Sequence, residues 1–421
     1  MPAGLPATAV GQAKEAQAIL TRTLNYFDKR FGLGAALDSV HDSRPRPSFA
    51  TGRVLRSITV GLLSRVGSLN ALDGLRLSNR QLDWVGGALP SADRLGDVAE
   101  AVDVNGLRRY SVAIYHRLRH YKGIFALADG LRPLVLDAHE SFASTRRCCP
   151  ACLTRTLKTA TGQQTQYYHR WVAAMLVHRD GYLMLDLEPL ERNEGEAAAA
   201  RRLLARLLDC CPQAFNVVCG DALYMDPGIW HAARDAGKHI VAVLKNENRD
   251  LMVDARSLFN ETQPVAHNEP DRRSLWWDIS GFKTWTQLGE PVRIVRSLET
   301  VSVRRQLTRK IEKTTTEWIW ATSLPASKAG TASIVRIGHE RWSIENQGFN
   351  ELVNHWHADH CYKHAPTAIL VFLLLLFIVY NFFHIFLKGN IKPERRRGRT
   401  NDHFASLIAA GLYAPIGGVP P

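Results

Sequence analysis

The chain is poor in cysteine, and the cysteines it has build no scaffold. Seven in 421 residues, an odd number without even spacing, exclude a secreted disulfide framework and fit a reducing compartment, the cytoplasm. Met1 to Ala18 lacks a basic segment followed by a long apolar core, so no signal peptide is expected. Internal repeats are absent. Cys149 and Cys152 form a Cys-x-x-Cys beside Cys148, but no second Cys-x-x-Cys or tight His pair completes a zinc module. His357, His360, Cys361 and His139 are the candidate fillers, and buried structural thiols are the expected state. Long apolar runs are also scarce. Ile369 to Tyr380 is wholly apolar, and the run continues to Leu387 broken by Asn381 and His384, before the basic stretch Lys388 to Arg399. A membrane span needs about 20 apolar residues. The polar interruptions favour a helix buried in a large core, and no membrane partner is expected.

What the chain has in quantity is apolar material and positive charge. It is 46% hydrophobic and 22% charged, with a formal net charge of +13. The first figure supplies a large core, and the last favours a polyanionic partner. Residues 1–125 read as helical, with a break at Pro45, Pro47 and Ser48 that sets the first 50 residues apart as an arm. Leu107 to Lys122 interleaves Arg108, Arg109, His116, Arg117, Arg119, His120 and Lys122 with Tyr110, Tyr115 and Tyr121. Such a helix suits contact with a phosphate backbone, so 1–125 is the expected DNA-binding region.

Strand patterns begin near Leu131. Leu134 to Asp137, Tyr167 to His178 and Tyr182 to Pro189 read as strands, the last two joined by the turn Arg179-Asp180-Gly181. A helix over Asn193 to Leu208 follows, with Glu194 and Glu196 in its first turn, then a strand over Phe215 to Cys219. Asp226 caps a helix opened by Pro227 and closed by Gly237, and Ile240 to Leu244 is a further strand. Three strands joined by short loops, then strands joined through helices, make a mixed sheet that can set the first and fourth strands side by side. Residues 248–325 carry Trp276, Trp277, Trp285, Trp318 and Trp320 in β-like runs and read as a β-rich insertion. Helix resumes over Ser333 to Trp356, and 391–421 reads as a basic flexible tail.

Asp137 and Asp221 each close an apolar run, where a charge is costly unless paired or metal-bound. Glu345 flanks the helical stripe Trp342, Phe349, Val353 and Trp356, and Arg341 stands one turn earlier. In-line attack on a phosphodiester needs its nucleophile activated and its leaving oxygen stabilised, which carboxylate-held Mg²⁺ does. Asp186 and Glu188 share one strand face and read as solvated.

Asp137, Asp221 and the Arg341-x-x-x-Glu345 spacing resemble the DDE transposases of bacterial insertion sequences, of the IS-four type, over about residues 130 to 390. The resemblance implies an α/β fold: a ribonuclease H-like mixed sheet flanked by helices (126–247 and 326–390), with the β-rich insertion between them and the helical N-terminal region before them. It implies metal-dependent cleavage at insertion-sequence ends and strand transfer into target DNA. Asp137, Asp221 and Glu345 would be both catalytic residues and ligands of two Mg²⁺ ions, with Mn²⁺ able to substitute. The implied partners are double-stranded DNA, as terminal inverted repeats and target, and a second copy of the chain in a synaptic homodimer. Trp276, Trp277 and Trp285 become candidates to stack a flipped base, and Arg341 to hold Glu345 or a phosphate. The sequence departs from the family where a Tyr precedes the Arg by three residues and a basic residue follows the Glu by seven: here stand Gly338 and Leu352. Asn346, Asn350 and Lys363 are candidates to replace the lost end contacts. The departures keep one alternative open, a catalytically inactive DNA-binding relic or regulator.

Overall fold

A computed structural model describes residues 7–75, 77, 79–160, 162–245, 249–304 and 309–413. Seven helices open the chain: α1 (Ala7–Phe31), α2 (Leu33–Asp38), α3 (Thr51–Leu63), α4 (Leu69–Asp73), α5 (Asn79–Val85), α6 (Ala92–Ala101) and α7 (Val104–His120). The first is not a separate arm. Its buried face, Leu20, Leu24, Phe27 and Phe31, packs on a helix from the far end of the chain, with the Phe27 and Phe382 rings stacked at 4.5 Å.

The sheet begins with β1 (Pro133–Ser144), β2 (Leu153–Thr159), β3 (Gly162–His178) and β4 (Gly181–Pro189). It continues through α8 (Glu196–Cys210), β5 (Val217–Gly220), α9 (Pro227–Asp235) and β6 (His239–Val243). The predicted caps are in place: Asp226 accepts the Ile229 amide at 2.9 Å, with Pro227 in the first turn. The strand β2 was not expected. Six of its seven residues are not buried, so it carries no apolar signature.

The stretch expected as a β-rich insertion, 248–325, also holds a helix, α10 (Asp250–Glu261), whose Leu251, Met252, Ala255 and Phe259 form its buried face. Its strands β7 (Val265–Glu269), β8 (Arg272–Phe282), β9 (Val292–Arg304) and β10 (Ile311–Thr322) extend the core sheet. β10 pairs antiparallel with β6, Trp320 facing Val243. The path runs β2-β3-β1-β5-β6-β10-β9-β8-β7, with β4 also on β3. β1, β5 and β6 are mutually parallel, and the other pairs are antiparallel. This is a ribonuclease H-like mixed α/β sheet flanked by helices.

The chain ends in α11 (Thr331–Ser343), a π-helical turn over Ile344–Phe349, α12 (Asn350–Trp356), α13 (Pro366–Asn390), α14 (Pro393–Arg396) and α15 (Asn401–Tyr413). α13 is long and apolar enough to cross a membrane by length and composition, yet 83% of its most apolar window is buried inside the protein. It lies against α3, α6, α7 and β4. The Asn381 that interrupts its apolar run has a definite task. Among the described residues β4 pairs with β3 alone, and its register slips next to Met184. Asn381 Oδ1 accepts the Met184 amide at 2.9 Å, and its Nδ2 donates to the Met184 carbonyl at 2.7 Å. A strand edge that would otherwise be buried unpaired is thereby satisfied. An apolar residue there would strand both groups, at about 1–3 kcal/mol each. The tail is not wholly flexible as expected: α15 buries Phe404, Ala405, Ile408 and Leu412 and packs on α1. Residues 414–421 of that expected tail lie outside the described residues.

Candidate active site

Leu134, Val135 and Leu136 are fully buried in β1, and Asp137 follows them part-way along the strand, where its burial becomes partial. β1 pairs with β5 in parallel, Leu134 opposite Val218 and Val135 opposite Cys219. Two steps further along the same register, Asp137 stands level with Asp221. Before Asp221 stands Gly220, where a Cβ would run into the Tyr224 ring of the next turn. Asp221 then caps the 3₁₀ turn Ala222–Tyr224, accepting the Leu223 amide at 2.8 Å.

Glu345 arrives on the long helix formed by α11, the π turn and α12. In the π turn the Asn350 amide bonds the Glu345 carbonyl, five residues back instead of four. The extra residue rotates the buried face. It runs through Arg341, Ile344, Phe349, Leu352 and Trp356, whereas Trp342 and Val353, placed on the stripe by sequence, are only half-buried. Such widened turns are frequent at functional sites. Tyr380 of α13 donates to the Gln347 carbonyl and holds this one open.

Asp137 is where the three acids meet electrostatically. Burial pushes its carboxyl up to about 6; Arg341 and the Ala138 amide oppose that rise, and the Asp221 and Glu345 carboxylates add to it. Arg341 reaches Asp137 Oδ2 from Nη1 at 3.4 Å and lays its guanidinium 3.9 Å from the Trp342 ring centroid. Its partner is therefore the first aspartate, not Glu345. A fourth acid, with only a helix-start role in the sequence, lies close by. Glu196 is buried, its Oε2 accepts from Arg170 Nη2 at 2.7 Å, and the buried Tyr224 hydroxyl also faces its carboxyl. Burial raises its pKa, Arg170 opposes the rise, and Asp137 and Asp221 add to it. No spacing rule flags Glu196; only the packing of α8 on β3 and β4 brings it here. Neighbouring carboxylates that raise one another's proton affinity are hard oxygen donors whose repulsion a divalent cation would relieve.

The two departures at Gly338 and Leu352 have packing causes. The Trp320 indole occupies the space a side chain at 338 would need. Leu352 is fully buried, so a basic residue there would lose its hydration. Among the proposed replacements, Asn346 and Asn350 line a polar cavity of about 550 Å³ with Arg65 and His355. Lys363 is committed elsewhere, to Asp97 at 3.3 Å and Glu100 at 2.9 Å.

The candidate DNA contacts divide. On α7, Tyr110 and Tyr115 are buried and bond the carbonyls of Phe31 and Gln213. Arg109, Arg117, Arg119 and Lys122 are exposed around them. Arg108 is not available. It turns inward to Asp186 at 3.2 Å and Glu188 at 3.5 Å. Those two acids are correspondingly buried rather than solvated, since Arg206 and Arg202 also pair with them. Trp277 is a core residue, bonding the Thr262 carbonyl at 2.9 Å beneath Arg296. Trp276 is half-buried and stacked on His267 at 4.3 Å. Trp285 packs edge-on against Trp230 and lines a cavity of about 300 Å³ with Arg249 and Thr284. Trp277 is therefore committed to the core, whereas Trp276 and Trp285 keep part of their surface exposed.

Compared with known families, the chain matches the transposase DDE domain over residues 143–382. That span begins six residues after Asp137 and includes Asp221 and Glu345. No curated protein matches the chain.

Proposed function

The chain belongs to the transposase DDE domain family, and on that premise we propose that it cuts DNA at the ends of an insertion sequence and joins the freed ends to target DNA. The observation that carries this reading is the electrostatic meeting of Asp137, part-way along β1, with Asp221, just beyond the parallel neighbour β5, and Glu345. These three residues would hold two Mg²⁺ ions, or Mn²⁺ in their place. When bound, such ions stabilise the attacking and leaving oxygens of an in-line displacement. Water attacks the terminal phosphodiester and expels a 3′-hydroxyl; that hydroxyl then attacks a target phosphodiester, one P–O bond forming as another breaks. Arg341 keeps Asp137 in place and limits the repulsion among the three acids. Exposed Arg109, Arg117 and Arg119 on α7, with Lys122 just beyond it, would grip the duplex backbone by charge, and Trp276 and Trp285 would take an unstacked base. Two copies would pair the two ends, in the cytoplasm where the DNA lies.

Incubating the full-length protein with a labelled duplex carrying the element's terminal repeat, with Mg²⁺ or Mn²⁺, tests the proposal. Cleavage at the repeat boundary leaving a 3′-hydroxyl is expected. Tight, sequence-specific binding with no cleavage at any divalent ion would identify an inactive DNA-binding relic instead.

A further inference from the structure

Away from the three carboxylates, the fold gathers a second set of metal-binding atoms. Cys149 and Cys152 lie in the turn between β1 and β2. His169 stands on β3, opposite Ser141 of β1. His364 comes from the loop immediately before α13, 212 positions from Cys152. The two cysteines and His169 are buried, His364 is half-buried, and the four ligand atoms all lie within 4.8 Å of one another.

Five of the six spacings match the edges of a tetrahedron, and the sixth, Cys149 to His364, lies within 4.8 Å. Zinc with Zn–S of about 2.3 Å and Zn–N of about 2.0 Å requires edges of about 3.8 Å for S–S, 3.5 Å for S–N and 3.3 Å for N–N. The Sγ–Sγ distance is 3.7 Å. Cys149 Sγ lies 3.4 Å from His169 Nε2, and Cys152 Sγ lies 3.3 Å from both His169 Nε2 and His364 Nε2. The two Nε2 atoms are 3.3 Å apart. A disulfide would need sulfurs about 2.05 Å apart. The turn is also braced as ligand turns are: the Cys149 amide donates to Cys152 Sγ at 3.2 Å, and Arg192 Nε donates to the Cys152 carbonyl at 3.0 Å.

We infer that Cys149, Cys152, His169 and His364 bind one zinc ion in a closed, structural site that pins the β1–β2 turn to the loop before α13. Two thiols give up their protons on binding, so the filled site is neutral. Two thiolates and two imidazoles in a tetrahedron select zinc over hard cations such as Mg²⁺. Four protein ligands leave no open position for chemistry. The site joins β1, which carries Asp137, to the segment that follows the Glu345 helix. The fillers expected from sequence are not used. His139 faces Asp359 and His357 bonds the Arg65 carbonyl, while Cys361 lies beside the cluster but outside it.

Metal analysis of the untagged full-length protein, purified without chelator, tests the inference independently of DNA cleavage. One zinc per chain is expected in the wild type and in Cys361→Ser, and loss of that zinc in Cys152→Ser and in His364→Ala. Should the variants fail to fold, the wild type alone decides. Replacing its metal with Co²⁺ should give intense thiolate-to-cobalt absorption with the visible bands of tetrahedral cobalt. A wild-type protein that holds no zinc and gives no such absorption with Co²⁺ overturns the inference. So does a Cys149–Cys152 disulfide in reductively purified protein, or zinc kept by Cys152→Ser and lost by Cys361→Ser.

Discussion

Asparagine in place of Asp137 removes metal-dependent cleavage, by about a thousandfold or more, while leaving the protein at least as stable as the wild type. The first half follows from the chemistry. The substitution keeps the shape and removes one of three anionic oxygen ligands, and the loss of about 4 kcal/mol of transition-state stabilisation corresponds to that factor. The second half follows from the sign of the electrostatics. The Asp137 carboxyl is pushed up from 3.8 to about 6, mainly by burial, with Asp221 and Glu345 adding to the rise. The fold without a cation therefore binds a proton more tightly there than the unfolded chain does. Stability from this group is greatest below pH 3.8 and falls as pH rises toward 6, so at neutral pH a neutral amide relieves the fold. Paired measurements of cleavage rate and thermal midpoint, made without divalent ions, check both halves. A variant that cleaves at the wild-type rate would remove Asp137 from the catalytic set.

Restoring the family's tyrosine at position 338 should unfold the site rather than improve it. Trp320 is almost fully buried in β10, and its indole fills the volume over Gly338. Gly338→Tyr forces two aromatic rings into one space, and overpacking of this kind costs about 1–3 kcal/mol or more. The midpoint of denaturation should fall accordingly. In Trp320→Ala alone a cavity forms, at about 3–5 kcal/mol. The double variant should lose clearly less than the sum of the two, because the new ring occupies the vacated space. A Gly338→Tyr protein as stable as the wild type would show that Trp320 does not replace the missing ring.

These outcomes bear on what the sequence made legible. Apolar runs bounded by turn and cap residues announced β1, β3, β4, α8, β5, α9 and β6, because burial and capping are local signals. Connection lengths allowed β1 and β5 to lie side by side without requiring it; the parallel pairing of the two strands supplies the register that sets Asp137 level with Asp221. β2 was hidden because it buries almost nothing. The inward turn of Arg108 was hidden because a charge pattern on a helix looks the same whether it meets water or the buried Asp186. The π turn moved the buried stripe by one residue, which a strict helical period cannot anticipate. The partners of Cys149 and Cys152 were least accessible of all. His169 and His364 are distant in sequence from each other, and only the pairing of β3 with β1 and the return of the chain before α13 bring them to the thiols.

The most direct test of the three-carboxylate centre is iron-directed cutting of the protein backbone. Fe²⁺ in place of Mg²⁺, with ascorbate and peroxide, releases hydroxyl radicals that cut the chain beside the bound ion. The expected cuts fall in three segments: at Asp137 in β1, at Asp221 after β5 and at Glu345 in the π turn. Excess Mg²⁺ should suppress all three together, and Asp221→Asn should weaken them together. Cutting that Mg²⁺ displaces from other segments, with none at these three, would contradict a shared metal centre.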